Sequence, residues 1–367
     1  MGRVFSLLGL LLAVSCAAPA METPQPSSQE VRAEAYRQRI DYVKTLFGEQ
    51  ERLAHIGYRL SVSVVDLCGD RATFTTGAFF FDWDQTKDDW VDAANEALGV
   101  NLHSPGIEVL IVVPGSRADK AGLRFGDRVV RVDDWRVPAG RGAFAEFRDR
   151  IDASLAQGHE VIDFRIQRGT EFLTIKLAPT QACDYPVLIA DNQEINAYTD
   201  GRKIVVSRGM LRFARDDDEL AVVVAHEMAH IVLGHVDAKR QNALAGAAVG
   251  AVFDVLIVAA TGVYASPGIG RSIGANVGAL AYSKDFEAEA DYMGAYMVAQ
   301  AGYDFTKTAE FHRYMSTVDR DSMDYGMTHP SSPQRAISLD KTVQEIREKK
   351  AAGRPLVPGN GKREDQG

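Results

Sequence analysis

The sequence predicts an α+β protein of more than one domain: a mainly helical unit with a small sheet, interrupted by a β-rich insert. Three observations lead there. Apolar residues recur at helical spacing outside the middle third, at 31–55, 219–236 and 286–301. Short alternating or apolar runs bounded by Gly, Pro and Asp crowd the middle, at 107–113, 128–133, 161–167 and 172–177. A length of 367 residues also exceeds what a single hydrophobic core ordinarily serves.

Composition narrows the class. Hydrophobic residues at 46% and charged residues at 25% are those of a folded soluble chain, neither disordered nor polytopic. A formal charge of -9, with Lys and Arg scattered among acids, argues against phosphate-backbone binding, so nucleic acid is excluded as a partner.

Residues 1–20 read as an export signal: Arg3, an apolar core over 4–14, then small residues from Ser15. That core is too short to span a bilayer as a helix. Ala13-Val14-Ser15-Cys16 resembles a bacterial lipobox, which makes Cys16 the expected lipidation site, with cleavage after Ala20 as the alternative. Ala17 in place of Asp implies, by the same resemblance, attachment to the outer membrane facing the periplasm. Residues 21–30, rich in Pro, Ser and Gln, are expected to be a linker.

Residues 31–67 form the first part of the helical unit, a helix over 31–55 and a strand over 58–67, broken by Cys68-Gly69-Asp70. After Phe79-Phe80-Phe81 and an acidic helical stretch over 84–98 comes the strand 107–113. A short helix closed by Gly122 follows, then a turn at Gly126-Asp127, a strand from Arg128, a helix over 144–155 and two last strands. This order is similar to a PDZ domain over 106–179, within an insert spanning 71–180. The resemblance implies a peptide or protein ligand that adds as a strand to a sheet edge. Cys68 and Cys183 bracket the insert; the two ends of an inserted domain lie close together, so in an exported protein they are expected to form a disulfide.

The second part of the main domain, 184–345, opens with strands over 187–190 and 203–207 around a turn at Gly201. A helix then starts at Asp216-Asp217-Asp218, with acids at its positive end. It carries His226-Glu227-Met228-Ala229-His230. Residues four apart differ by about 40° around a helix, so both imidazoles project from one face as zinc ligands do. Glu227 stands beside the water to be activated, as general base. His235 lies about 180° from His226 and about 140° from His230, which makes it structural rather than a ligand. Leu233 and Val236 occupy the positions where a metzincin needs Gly and His, so that arrangement fails. Downstream, Glu287 and Asp291 share a helix face from which Glu289 points about 160° away. Glu287 fits a third ligand and Asp291 an acceptor for a ligand imidazole, although this segment alone reads more readily as a solvated acidic face.

Asn196-Ala197-Tyr198, the HExxH helix, the run from Tyr282 to Asp291 and Thr328-His329-Pro330 through Arg335 together resemble the gluzincin family of CAAX prenyl endopeptidases and their bacterial periplasmic relatives. The resemblance implies one Zn2+ per chain held by His226, His230 and Glu287, with Asp291 as the partner of a ligand. It also implies that His329 approaches the zinc, either polarising the tetrahedral intermediate or blocking the open position until substrate arrives, accompanied by Arg335. Substrate would lie extended near Asn196. An Ala/Gly/Val-rich stretch over 243–265, interrupted by Asp254, is expected as a helical hairpin, with a membrane span as the alternative. Residues 346–367 are expected to be a disordered tail. The expected activity is endopeptidase action on exported, unfolded or misassembled envelope proteins; the alternative is a chaperone or assembly factor working through the PDZ-like unit.

Overall fold

The computed structural model describes residues 21, 23–82, 88–99, 106–140, 142–157, 160–245, 247, 283–317 and 332–359. The export signal, Cys16, His329 and all but the start of the 243–265 stretch lie outside them.

Helix α1, Ser28–Ser63, begins inside the stretch expected to be a linker. Its start has a local cause: Ser27 and Glu30 form a capping box in which the Ser27 N–H donates to the Glu30 carboxylate at 2.7 Å. At its other end α1 runs to Ser63 and a 3-10 turn follows over Val65–Leu67, so the strand expected over 58–67 is corrected to helix. Leu53, Ile56, Leu60 and Val64 are buried at helical spacing against one core, and alternation as short as Ser61-Val62-Ser63-Val64 is compatible with either period.

The insert hangs on a two-stranded stem, β1 (Ala72–Thr75) antiparallel to β8 (Thr180–Cys183), in register from Ala72↔Cys183 to Thr75↔Thr180. Cys68 and Cys183 are joined at the base of this stem, their Cα atoms 5.6 Å apart. Above it β2 (Ala78–Asp82), β3 (Ile107–Val112), β4 (Arg128–Val132), β5 (Trp135–Arg136), β6 (Ile162–Arg168) and β7 (Glu171–Leu177) form one sheet in the order β2-β3-β4-β6-β7, with β5 on β4. Helices α3 (Arg117–Lys120) and α4 (Ala143–Ala156) belong to the same unit, and its core gathers Ile107, Leu123, Phe147, Ile162, Phe164 and Ile166. Helix α2 (Asp88–Leu98) packs instead on α1, where Val91 and Ala94 meet Val43 and Trp90 lies edge-on to Tyr42.

The second domain resumes with β9 (Val187–Ala190), β10 (Ala197–Thr199) and β11 (Ile204–Ser207), ordered β10-β11-β9, with β9 parallel and β10 antiparallel to β11. Helix α1 crosses β9 closely, since a Cβ at Gly57 would lie 2.9 Å from Val187 Cγ2. Then come α5 (Arg208–Phe213), α6 (Asp217–Val232), α7 (His235–Ala245), α8 (Ser283–Gln300), α9 (Lys307–Met315) and α10 (Pro333–Ala351). One core unites α1, the small sheet and these helices other than α7, with Leu60, Ile204, Leu220, Met228, Tyr296 and Ile346 at its centre. The protein is therefore α+β, as its sequence predicts.

Two further differences from expectation have plain causes. Helix α6 ends at Val232 because Gly234 takes φ 68°, and α7 leaves at a 55° bend. The expected disordered tail is helical to Ala351, and its continuation to Gly359 is docked: Gln300 Nε2 donates to the Leu356 carbonyl, Lys349 Nζ to that of Val357, and the Gly359 N–H to Tyr292 Oη. Among the described residues no single helix is long and apolar enough to cross a membrane.

Candidate metal centre

The site is built on the contact between α6 and α8. Asp216 caps α6 by accepting from the Glu219 N–H at 2.9 Å, and Asp217, Asp218 and Glu219 fill its first turn, where the helix dipole favours acids. Gly294 lets α8 approach: a Cβ there would lie 3.2 Å from the His226 backbone nitrogen. Glu287, 57 residues beyond His230 in sequence, is thereby brought against the imidazoles of α6.

His226, His230 and Glu287 each offer one ligand atom, and these atoms lie within 4.8 Å of one another. The two Nε2 atoms are 3.1 Å apart, His226 Nε2 is 3.3 Å from Glu287 Oε2, and His230 Nε2 is 3.5 Å from Glu287 Oε1. A tetrahedral zinc bound at about 2.05 Å holds its donors about 3.3 Å apart, so the observed triangle fits that ion. The donor chemistry agrees, since each imidazole turns Nε2 inward while its Nδ1 is engaged elsewhere. His226 Nδ1 donates to Asp291 Oδ1 at 3.1 Å, and Asp291 in turn accepts two hydrogen bonds from Arg335, at 2.7 and 2.8 Å. His230 Nδ1 meets His235 Nδ1 at 2.9 Å, and His235 Nε2 meets Glu289 Oε2 at 3.1 Å. A single tautomer satisfies this chain: His230 donates from Nδ1, and His235 accepts there and donates from Nε2 to the carboxylate.

The sequence had set His235 and Glu289 aside as pointing away from the metal. They do point away, yet together they orient a ligand from behind. The signal available was Gly234, whose left-handed backbone redirects the chain so that His235 packs back on His230. Lys239 was missed as well; its Nζ lies 3.4 Å from Glu287 Oε1, while Arg335 Nη1 lies 3.4 Å from Glu287 Oε2. These two cations offset the burial of a carboxylate only 1% exposed.

Electrostatics follow from this packing. Burial alone would lower the His226 pKa, but the hydrogen bonds and charges of Asp291 and Glu287 outweigh it and raise the value to about 10. The Asp291 carboxyl is likewise penalised by burial, yet Arg335 and His226 hold it well below the usual carboxylate range. Glu227 is 2% exposed and shares the wall of an adjoining pocket with His226, Asp291, Arg335 and Asn196. The Asn196 N–H donates to Ser207 Oγ at 3.2 Å, and next to it β10 is an edge strand of the described sheet, with Tyr198 46% exposed. The structure thus gathers Glu227, Asp291, Arg335 and Asn196 around the ligand triangle; His329 is not among the described residues.

Comparison with known proteins places this geometry. Residues 165–343 match the model of Peptidase family M48, a stretch that begins in the last strands of the insert and takes in α6, α8 and all three ligands. The mitochondrial metalloendopeptidase OMA1 of Arabidopsis thaliana is 29% identical over 161 residues, 43% of this chain and 32% of its own. The mitochondrial metalloendopeptidase OMA1 of Danio rerio is 28% identical over 220 residues, 56% and 45% respectively. The beta-barrel assembly-enhancing protease of Yersinia pestis is 28% identical over 171 residues, 43% and 34%. The chain spans less than half the length of these relatives. The HtrA3 PDZ domain, solved with a phage-derived ligand, covers 30% of this chain and 88% of its own at 19% identity, but its TM-score of 0.22 is too low to carry the fold of the insert.

Proposed function

We propose that this chain is a zinc endopeptidase acting on exported, unfolded or misassembled envelope proteins. The observation that carries the proposal is the ligand triangle of His226, His230 and Glu287, with Glu227 buried beside it in a pocket. When bound there, zinc supplies Lewis acidity that polarises a peptide carbonyl and lowers the pKa of water. The remaining steps belong to the chain. Glu227 takes a proton from the attacking water as the new C–O bond forms, and passes it to the amide nitrogen as the C–N bond breaks. Asp291 and the His235–Glu289 pair hold the two imidazoles in the tautomer that presents Nε2. Substrate lies extended along β10 near Asn196, pairing with the outer side of this edge strand of the described sheet. His329 takes the role of stabilising the oxyanion, and the PDZ-like insert that of capturing a peptide segment.

Support for an envelope location comes from the signal-like pattern over 1–20 with its lipobox-like Cys16, and from the name of the Yersinia pestis relative. The decisive experiment measures zinc content and degradation of unfolded outer-membrane proteins, wild type against Glu227→Gln. We expect stoichiometric zinc in both and a loss of about 10²- to 10⁴-fold in the variant, the range for a general base. Absence of stoichiometric zinc in the wild type would sink the proposal. Full cellular function in the variant would favour the chaperone reading instead.

A further inference from the structure

The pocket beside Glu227 is largely apolar, walled by Met210, Val223, Phe311, Met315 and Leu339, and encloses ≈ 110 Å³. A water-sized sphere needs about 10–15 Å³ of such space, so there is room for roughly seven to eleven, close to the heavy atoms of an aromatic side chain. One polar group in the wall is not accounted for by the metal centre. His312, on α9, lines the pocket, and its Nε2 is buried with no hydrogen-bond partner among the described residues. Its other ring nitrogen is tied to the backbone of Ser332, the residue that caps α10. Burial first, and then the charge of Arg335, push the His312 pKa down to about 4, so the ring is neutral at pH 7. A neutral imidazole carries one N–H; with that proton directed to the Ser332 carbonyl, Nε2 is left as a bare acceptor.

A buried acceptor without a donor is costly, and a ligand that supplies the donor recovers that cost. Resting on the endopeptidase reading above, we propose that His312 is a specificity-determining residue: its Nε2 accepts a hydrogen bond from the tip of a substrate side chain next to the scissile bond. The favoured residue has an apolar body and a donor at its end, tyrosine above all. Phenylalanine fills the same apolar walls but leaves Nε2 unpaired. A site made to hydrogen-bond a hydroxyl rejects the analogue lacking it far better than an apolar pocket rejects a missing methylene.

The test compares cleavage of peptides that differ only by Tyr or Phe on either side of the cleaved bond, located by mass spectrometry. The wild type should show a Tyr:Phe ratio in kcat/KM of about tenfold or more, a single neutral hydrogen bond's worth. His312→Phe should bring the ratio to about one, and His312→Gln, which keeps an acceptor, should retain part of it. If the variants fail to fold, calorimetric binding of the same peptides to Glu227→Gln reads the preference without chemistry, and equal affinities there overturn the proposal. A wild-type ratio near one, or a ratio unmoved in His312→Phe, also overturns it while leaving the peptidase reading intact. Failure to cleave any peptide in a zinc- and Glu227-dependent way removes both.

Discussion

Substituting Gly294 by alanine tests whether the α6–α8 contact sets the metal geometry. The added Cβ would lie 3.2 Å from His226 N, 3.3 Å from His226 Cα and 3.4 Å from the Ala225 carbonyl carbon. All three are helix backbone, so no rotamer change relieves the crowding and the helices must part by a few tenths of an ångström. The ligands straddle that contact, two on α6 and Glu287 on α8. Donor separations of 3.1, 3.3 and 3.5 Å leave little slack around a tetrahedral edge of about 3.3 Å. Overpacking of this kind costs about 1–3 kcal/mol, while replacing a helical glycine by alanine returns up to about 1 kcal/mol. Gly48, on α1 with nothing within 4 Å of an added Cβ, receives only the second effect and is the control. Guanidinium unfolding of metal-free protein should therefore place Gly294→Ala about 1–3 kcal/mol below Gly48→Ala. Chelator competition should show at least about a tenfold loss of zinc affinity for Gly294→Ala alone, the scale seen when the support of a ligand is disturbed. Equal stabilities for the two variants, or wild-type zinc affinity in Gly294→Ala, would refute the reasoning.

Other outcomes follow from the same geometry. Replacing His235 by Phe or Glu289 by Gln should lower zinc affinity by about 10- to 100-fold with folding retained, and wild-type affinity would remove the pair from the centre. Because the carboxylates hold a proton on His226 up to about pH 10 in the metal-free protein, zinc must displace it. Apparent affinity should then rise with pH by about tenfold per unit between 7 and 9, a slope that Asp291→Asn should flatten; a pH-independent wild type would contradict the assigned charge. The Cys68–Cys183 bond closes a separation of 115 residues, for which the chain-entropy estimate is about 4–5 kcal/mol. Dithiothreitol, or Cys68→Ser, should lower the guanidinium midpoint accordingly, and an unmoved midpoint would mean that the thiols are not paired.

What the sequence by itself determined is whatever short-range geometry dictates. The rotation per residue of a helix puts His226 and His230 on one face, whereas His235 lies beyond the break at Gly234 and takes its direction from that turn. The same rule pairs Glu287 with Asp291, Gly122 closes α3, and turn glycines at 126 and 201 precede β4 and join β10 to β11. Where two periods fit one short run, as over 58–67, local pattern had no means of choosing, and burial of a single face of α1 chose helix. Only the tertiary structure decided what meets across long separations: Arg335 with Asp291, 44 residues apart, His235 with Glu289, 54 apart, and His312 with the pocket beside Glu227. These contacts obey no period. They exist because a buried charge or imidazole must find a partner, and the partner is whichever residue the packing of α6, α8, α9 and α10 brings within reach.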